Sequence, residues 1–216
     1  MEHTTRLPLS TVVDRYNRVA RIYASIVEPL FLIRPRARRK AVAALGLKPG
    51  DVVLELGAGT GRNLPYLIDA VGPSGKVIGV DAAPGMLAEA RRLVKRHGWS
   101  NVELLQQDAA KLEIGPDVDA VLFSLSYSVM PDPGAALARA WERLRPGSRV
   151  VVMDVGLPKS RFPRLLAPAA KLLIKLGPGD PYSRPWEELA RYGAVESESF
   201  MLGLYYVCTV KKPADT

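Results

Sequence analysis

The stretch VVLELGAGTGRNLPYL, residues 52 to 67, restricts what this chain can fold into more than any other. Val52, Val53, Leu54 and Leu56 read as a short buried strand. Gly57, Gly59 and Gly61 follow at two-residue spacing, and a helical pattern begins near Arg62. Glycines at a strand-to-helix turn let the backbone take positive φ and come close to a bound ligand. The amides that open the helix have no intrahelical partner and point at that ligand. The tip of this first strand is therefore expected to bind an adenosine-like or phosphate-like group.

Spacing narrows the ligand. The dinucleotide fingerprint is G-x-G-x-x-G with a carboxylate about 20 residues on. Here the glycines read G-x-G-x-G, and Glu55 stands two residues before the first of them. The next strand, KVIGVD, closes on Asp81, well placed to hold two ribose hydroxyls. With ELGAGTG and GVDAAPGML both present, the chain resembles the class I S-adenosylmethionine-dependent methyltransferases over residues 10 to 212. The resemblance implies an α/β fold: a Rossmann-like doubly wound sheet of seven mostly parallel strands, an antiparallel last strand and an N-terminal helical cap.

It also implies S-adenosyl-L-methionine as cofactor and assigns residues to it. Glu55 and the turn of Gly57, Ala58, Gly59 and Gly61 would hold the methionine and ribose side. Asn63 would bond the amino-acid carboxylate, and Asp81 would accept from the ribose hydroxyls. Ala82 and Met86 would sandwich the adenine, a soft apolar contact that methionine makes well. Asp108 would take the adenine amino hydrogen, and Ala109 would offer its amide to a ring nitrogen. Ser124 and Leu125, at the end of strand four, would pass close to the sulfonium.

The chain's 216 residues suffice for one α/β domain with a sizeable core. The expected division is a helical cap over 1–48 and a cofactor-binding core over 49–212, with a substrate-side insertion over 157–192. No run of about 18 apolar residues occurs, and MEHTTRLPLS lacks a secretory layout. The single cysteine, Cys208, argues against an internal disulfide or a Cys-rich zinc site. These features favour a cytoplasmic protein without a metal. The net charge of +8 suits nucleic acid, an anionic membrane or a solvated basic face. The basic residues are not interleaved with aromatics as in single-strand binders, so specific nucleic-acid binding is not expected.

Before the core, Val12, Tyr16, Val19, Tyr23, Ile26 and Leu30 alternate at steps of four and three, one face of a helix that Pro29 interrupts. A basic run, Arg34 to Lys40, leads into a second helix ending at Leu45 and Gly46. Strands are expected at 51–56, 76–80, 102–106, 119–124 and 149–154. A helix over 84–97 has Pro84 in its first turn, Lys95, Arg96 and His97 in its last, and Gly98 as terminator. Asp132 and Pro133 open another helix as cap and N1. AVESESFMLG and LYYVCTV read as a hairpin joined to the sheet, with Cys208 facing its core.

Methyl transfer from a sulfonium needs alignment and exclusion of water, which can account for roughly 7–11 kcal/mol of a barrier. A Ser/His/Asp set or a metal cluster is not required. The acceptor must be read from the run after strand four, FSLSYSVMPDP. It lacks the Asn/Asp-Pro-Pro-aromatic motif of DNA amino-methyltransferases, and the lone cysteine is not in the Pro-Cys context of cytosine-C5 enzymes. YNRVARIY and YYVCTVKKP are similar to UbiE-type quinone C-methyltransferases, although Tyr127 and Ser128 stand near where those carry an Arg-Asn pair. The helix with Tyr16 and Tyr23, GTGRNLP and SYSVMPDP are closer to the bacterial phospholipid N-methyltransferases. So is the segment after strand five, where Arg161, Arg164, Lys171 and Lys175 share a helical face.

That resemblance implies the amine of phosphatidylethanolamine or a related lipid as acceptor. Tyr16, Tyr23 and Tyr127 would orient it through hydroxyl or cation–π contacts. Residues 159–175 and 34–40 would touch an anionic membrane, making the protein peripheral to the inner face. The alternatives are methylation of a soluble small molecule or quinone, and a non-catalytic cofactor-binding module.

Overall fold

The computed structural model describes residues 6–22, 35–115, 117–155, 180, 183–200 and 205–214. Val52–Leu56 forms β1, apolar but for the buried Glu55, as suits the middle of the sheet, where it pairs in parallel with both β2 (Lys76–Asp81) and β4 (Val118–Ser124). β3 (Val102–Gln106), β5 (Leu144–Val155), β6 (Val195–Phe200) and β7 (Tyr205–Lys211) complete a seven-stranded sheet in the order β3-β2-β1-β4-β5-β7-β6. β7 runs antiparallel to both of its neighbours. The strand order reverses between β1 and β4, and ligands of open α/β sheets bind at such a switch point, beyond the carboxyl ends of the strands.

Helices cover both faces. On one, α2 (Pro35–Leu45) and α3 (Leu64–Val71) bury Ala37, Ala41, Leu45, Leu64 and Leu67 against Val53, Leu122 and Val151. On the other, α5 (Pro133–Arg143) and α6 (Pro185–Leu189) bury Leu137, Ala140 and Leu189 against Leu54, Phe123 and Val152. Each such aliphatic or aromatic side chain contributes about 1.5–3 kcal/mol by leaving water. α1 (Leu9–Ile22) packs instead on the start of α4 (Pro84–His97), with Ala20 beside Ala83 and Met86.

The expected strands, the 84–97 helix, the Asp132 cap and the terminal hairpin are all present. The Asp132 carboxylate accepts from the Ala135 amide at 2.9 Å, and Gly98 takes the left-handed conformation that ends its helix. β5 starts earlier than expected, at Leu144, because buried Leu144 pairs with Val118 ahead of a register shift. α1 is described to Ile22, so the Pro29 kink and Tyr23 lie outside the described residues, as do 159–175 and most of the 157–192 insertion.

Candidate active site

The glycine turn is built by backbone bonds to the neighbouring strand. The amides of Gly57 and Ala58 both donate to the Val80 carbonyl, at 2.8 and 3.0 Å. Gly57 has φ +75°, and a Cβ there would lie 2.3 Å from Ser126 Cβ, so the loop after β4 can cross only over glycine. Gly59, at φ +56°, donates its amide to Asp81 Oδ2 at 2.8 Å, and a Cβ on it would meet almost nothing. That open side is where a ligand can approach the backbone. Gly61 differs from expectation. A Cβ there would meet Leu64 Cδ1 at 2.8 Å and Ala90 Cβ at 3.2 Å, so it serves the packing of α3 on α4, and it does not line the cleft.

Asp81 Oδ1 accepts from the Ala83 amide at 2.8 Å, so the carboxylate bridges the glycine turn and the start of α4. Burial raises its pKa, and the two amides draw it back. Each oxygen keeps lone-pair capacity for another donor, which fits the two hydroxyls of a ribose.

Behind the turn lies a buried polar chain. Arg38 Nη1 donates to Asn63 Oδ1 at 2.7 Å, and Asn63 Nδ2 donates to Glu55 Oε1. All three side chains are buried and line the cleft. Arg38, one of the 34–40 run expected to touch a membrane, is buried and shares the sheet-facing side of α2 with Ala41, Val42 and Leu45, whereas Arg36 and Arg39 are exposed. The period of the helix carried that signal, hidden by the neighbouring arginines. Lys40 is ion-paired with Glu198.

The cleft opens to solvent and has a cavity volume of about 130 Å³. Ala82, Met86, Asp108 and Ala109 line one wall; Asp108 Oδ1 also caps the short turn Ala109–Lys111 through the Ala110 amide at 3.0 Å. Ser124 and Leu125 line the floor. Ser124 Oγ is buried with no hydrogen-bond partner among the described residues. Leu125 has φ +58°, alone among the described non-glycine residues in the left-handed region, a conformation that costs about 1–3 kcal/mol. Three bonds hold this turn: Leu125 N to Met153 O at 2.8 Å, Ser126 Oγ to Leu56 O at 2.7 Å, and Ser128 N to Asp154 Oδ2 at 2.9 Å.

α1 lies across the mouth and lends Leu9, Val12, Val13 and Tyr16 to the lining. It is fastened by a residue within it and by one that precedes it. Asn17 Oδ1 accepts from the Gly85 amide at 2.8 Å, and Arg6 Nη1 donates to the Met130 carbonyl at 2.9 Å. Nothing in the sequence marks either residue.

Of the three tyrosines expected to orient an acceptor, Tyr16 lines the cleft. Tyr23 is outside the described residues. Tyr127 is turned away: fully buried, it packs edge-on against Phe123 and donates its hydroxyl to Glu188 Oε2 at 2.5 Å. Burial first, then the Glu188 carboxylate, hold that hydroxyl well above the ordinary phenol range. No group of metal-ligating side chains occurs among the described residues, and no described helix is long and apolar enough to cross a membrane.

A mostly parallel sheet with a glycine turn and a buried carboxylate at its switch point defines a Rossmann-like domain. Comparison with known proteins carries this further. Residues 53–147 match the methyltransferase-domain family. The chain is 30% identical over 172 residues to the ubiquinone/menaquinone biosynthesis C-methyltransferase UbiE of Teredinibacter turnerae, covering 74% of this chain and 69% of that protein. It is 35% identical over 117 residues to the arsenite methyltransferase of Halobacterium salinarum, covering 54% of this chain and 29% of that one. It spans about half or less of the length of several other curated relatives. A SAM-dependent methyltransferase structure from Aquifex aeolicus shares the fold, with a TM-score of 0.62 at 24% identity over 81% of this chain and 88% of that one. The chain belongs to the class I S-adenosylmethionine-dependent methyltransferases, in their UbiE-like group.

Proposed function

We propose that the chain transfers a methyl group from S-adenosylmethionine to a small acceptor with an apolar ring body, of the hydroquinone kind. The observation that carries this reading is the wall of the cleft beyond the strand tips. It is apolar and comes from two distant segments: Leu9, Val12 and Val13 of α1, and Val129, Met130 and Pro131 after β4. Such a wall receives a flat hydrocarbon ring by burying its area at about 25 cal/mol per Å². The similarity to UbiE of Teredinibacter turnerae, named for ubiquinone and menaquinone biosynthesis, points the same way.

The cofactor, when bound, supplies an electrophilic methyl on a sulfonium. The chain's own groups fit the rest of it. Asp81 would accept from the ribose, and Met86 and Ala82, which line the cleft, would face the adenine. Arg38 takes the role expected of Asn63, because Asn63 is already bonded at both ends of its amide while a guanidinium has five donors. α1 closes the mouth against water, and the Tyr16 hydroxyl orients the acceptor.

The lipid amine expected from the sequence draws less support. Its bilayer-facing segment is outside the described residues, and Arg38 of the other basic run is buried. The test is release of S-adenosylhomocysteine with three acceptors: a 1,4-naphthohydroquinone, phosphatidylethanolamine vesicles and a simple phenol. Release with the naphthohydroquinone is expected. Release with the vesicles alone would overturn the acceptor, and cofactor binding without release from any of them would favour a binding module.

A further inference from the structure

The polar groups that cofactor and acceptor leave unused gather behind the far wall, at the end of β5. Asp154 is 1% exposed and makes no ion pair among the described residues. Its Oδ2 accepts from the Ser128 amide at 2.9 Å and its Oδ1 from the Val155 amide at 2.8 Å. Ser128 sits in the middle of the loop whose Leu125, Ser126, Val129 and Met130 line the cleft. Asp154 therefore holds from behind the surface on which an acceptor would lie.

The surroundings leave its charge poorly compensated. Arg6, from the N-terminal segment, acts on it at longer range while bonding the loop carbonyls of Met130 and Tyr127. Tyr206, its cross-strand neighbour on β7, is buried with a hydroxyl that has no partner among the described residues. Tyr127 donates its hydroxyl hydrogen bond to Glu188, and the Asp180 amide donates to the Ser128 carbonyl at 2.9 Å. Cys208 lies further along β7. Burial pushes the Asp154 carboxyl up to about 6, against the pull of the two amides, the Ser128 hydroxyl and Arg6.

We propose that Asp154 is a positioning residue for the methyl transfer: its carboxylate, acting through the Ser128 amide, sets the far wall of the cleft against which the acceptor lies. The turn it clamps includes left-handed Leu125, a conformation that persists only where the surroundings over-determine it. An ionised carboxylate holds an amide roughly twice as strongly as a neutral acceptor does. While Asp154 stays buried, loss of its charge weakens the bond to the Ser128 amide, so the wall loosens on protonation even though protonation favours the native state over the fully unfolded chain. The acceptor's part in this rests on the transferase reading above; the clamp itself does not.

The experiment is hydrogen exchange of the 125–131 segment, corrected for intrinsic rate, with and without S-adenosylhomocysteine. Protection in the wild type is expected to fall on the order of tenfold between about pH 7.5 and about pH 5. Asp154→Asn is expected to show low protection at both, and Tyr206→Phe to keep the wild-type profile. With a naphthohydroquinone, Asp154→Asn should raise the acceptor KM with S-adenosylhomocysteine affinity unchanged. A wild-type segment whose protection ignores pH, or an Asp154→Asn protein as protected as wild type, overturns the proposal. If Asp154→Asn does not fold, the wild-type pH profile still decides it. A protein that fails to bind S-adenosylhomocysteine counts against the transferase reading, and exchange in the free protein then tests the clamp alone.

Discussion

The glycine corner and the far wall occupy one cleft but are held in different ways. The corner is closed by backbone amides and one carboxylate, with Gly59 and Asp81 only 22 residues apart. The far wall is tied by side chains reaching across the chain: Arg6 to Met130 over 124 residues, Ser126 to Leu56 over 70. A corner made of main chain tolerates little change and suits a group that is always the same. A wall made of side chains from α1 and one loop can be altered without disturbing the sheet, and suits the part of the ligand that varies between relatives.

The sharpest way to break this contrast is Asp81→Ala. It removes the charged acceptor proposed for two ribose donors, each such bond being worth roughly 1.5–3 kcal/mol. Calorimetry should show S-adenosylhomocysteine affinity reduced about a hundredfold or more; unchanged affinity would move the cofactor out of the corner. Gly57→Ala strikes the seam between the regions, with φ +75° and Ser126 Cβ only 2.3 Å from the new methyl. Urea unfolding should report a loss of about 2–4 kcal/mol, and a loss under about 1 kcal/mol would mean that the β4 loop yields easily.

Behind the far wall, Asp154 has a carboxyl near 6 in the native state against an ordinary 3.8. The native form thus binds the extra proton between those values, so stability falls as pH rises from about 4 to about 6 and is level above. The span is on the order of 2–3 kcal/mol. Unfolding at several pH values should show that slope, and Asp154→Asn should lack it; an identical slope in both proteins would assign it to other groups. The smallest effect expected is Tyr206→Phe, which deletes a buried hydroxyl without a partner among the described residues. Stability should hold within about 1 kcal/mol of wild type, or rise; a larger loss would reveal a bond to this hydroxyl.

Legibility followed the same division. The corner could be read almost entirely from ELGAGTG and Asp81, because glycines at positive φ and a carboxylate closing a strand are local signatures. The exception, Gly61, obeys the same conformational rule but faces Ala90, and facing is a tertiary fact. Tyr127 looked as available as Tyr16 along the chain, yet one backbone direction after β4 sends it to Glu188. Arg38 stood in a run of charges that suggested solvent, and the period of α2 turned it inward.

What this sequence determined by itself was the order of strands and helices, the turn at the tip of β1 and the acid that completes it. Those rest on periodicity and backbone preference, which act between residues close along the chain. Folding in three dimensions decided which tyrosine reaches the cleft, where Arg6, Arg38 and Asn17 attach, and why Asp154 is both buried and poorly compensated. Burial and long-range hydrogen bonds depend on what arrives from elsewhere, and no stretch of sequence carries its own neighbours.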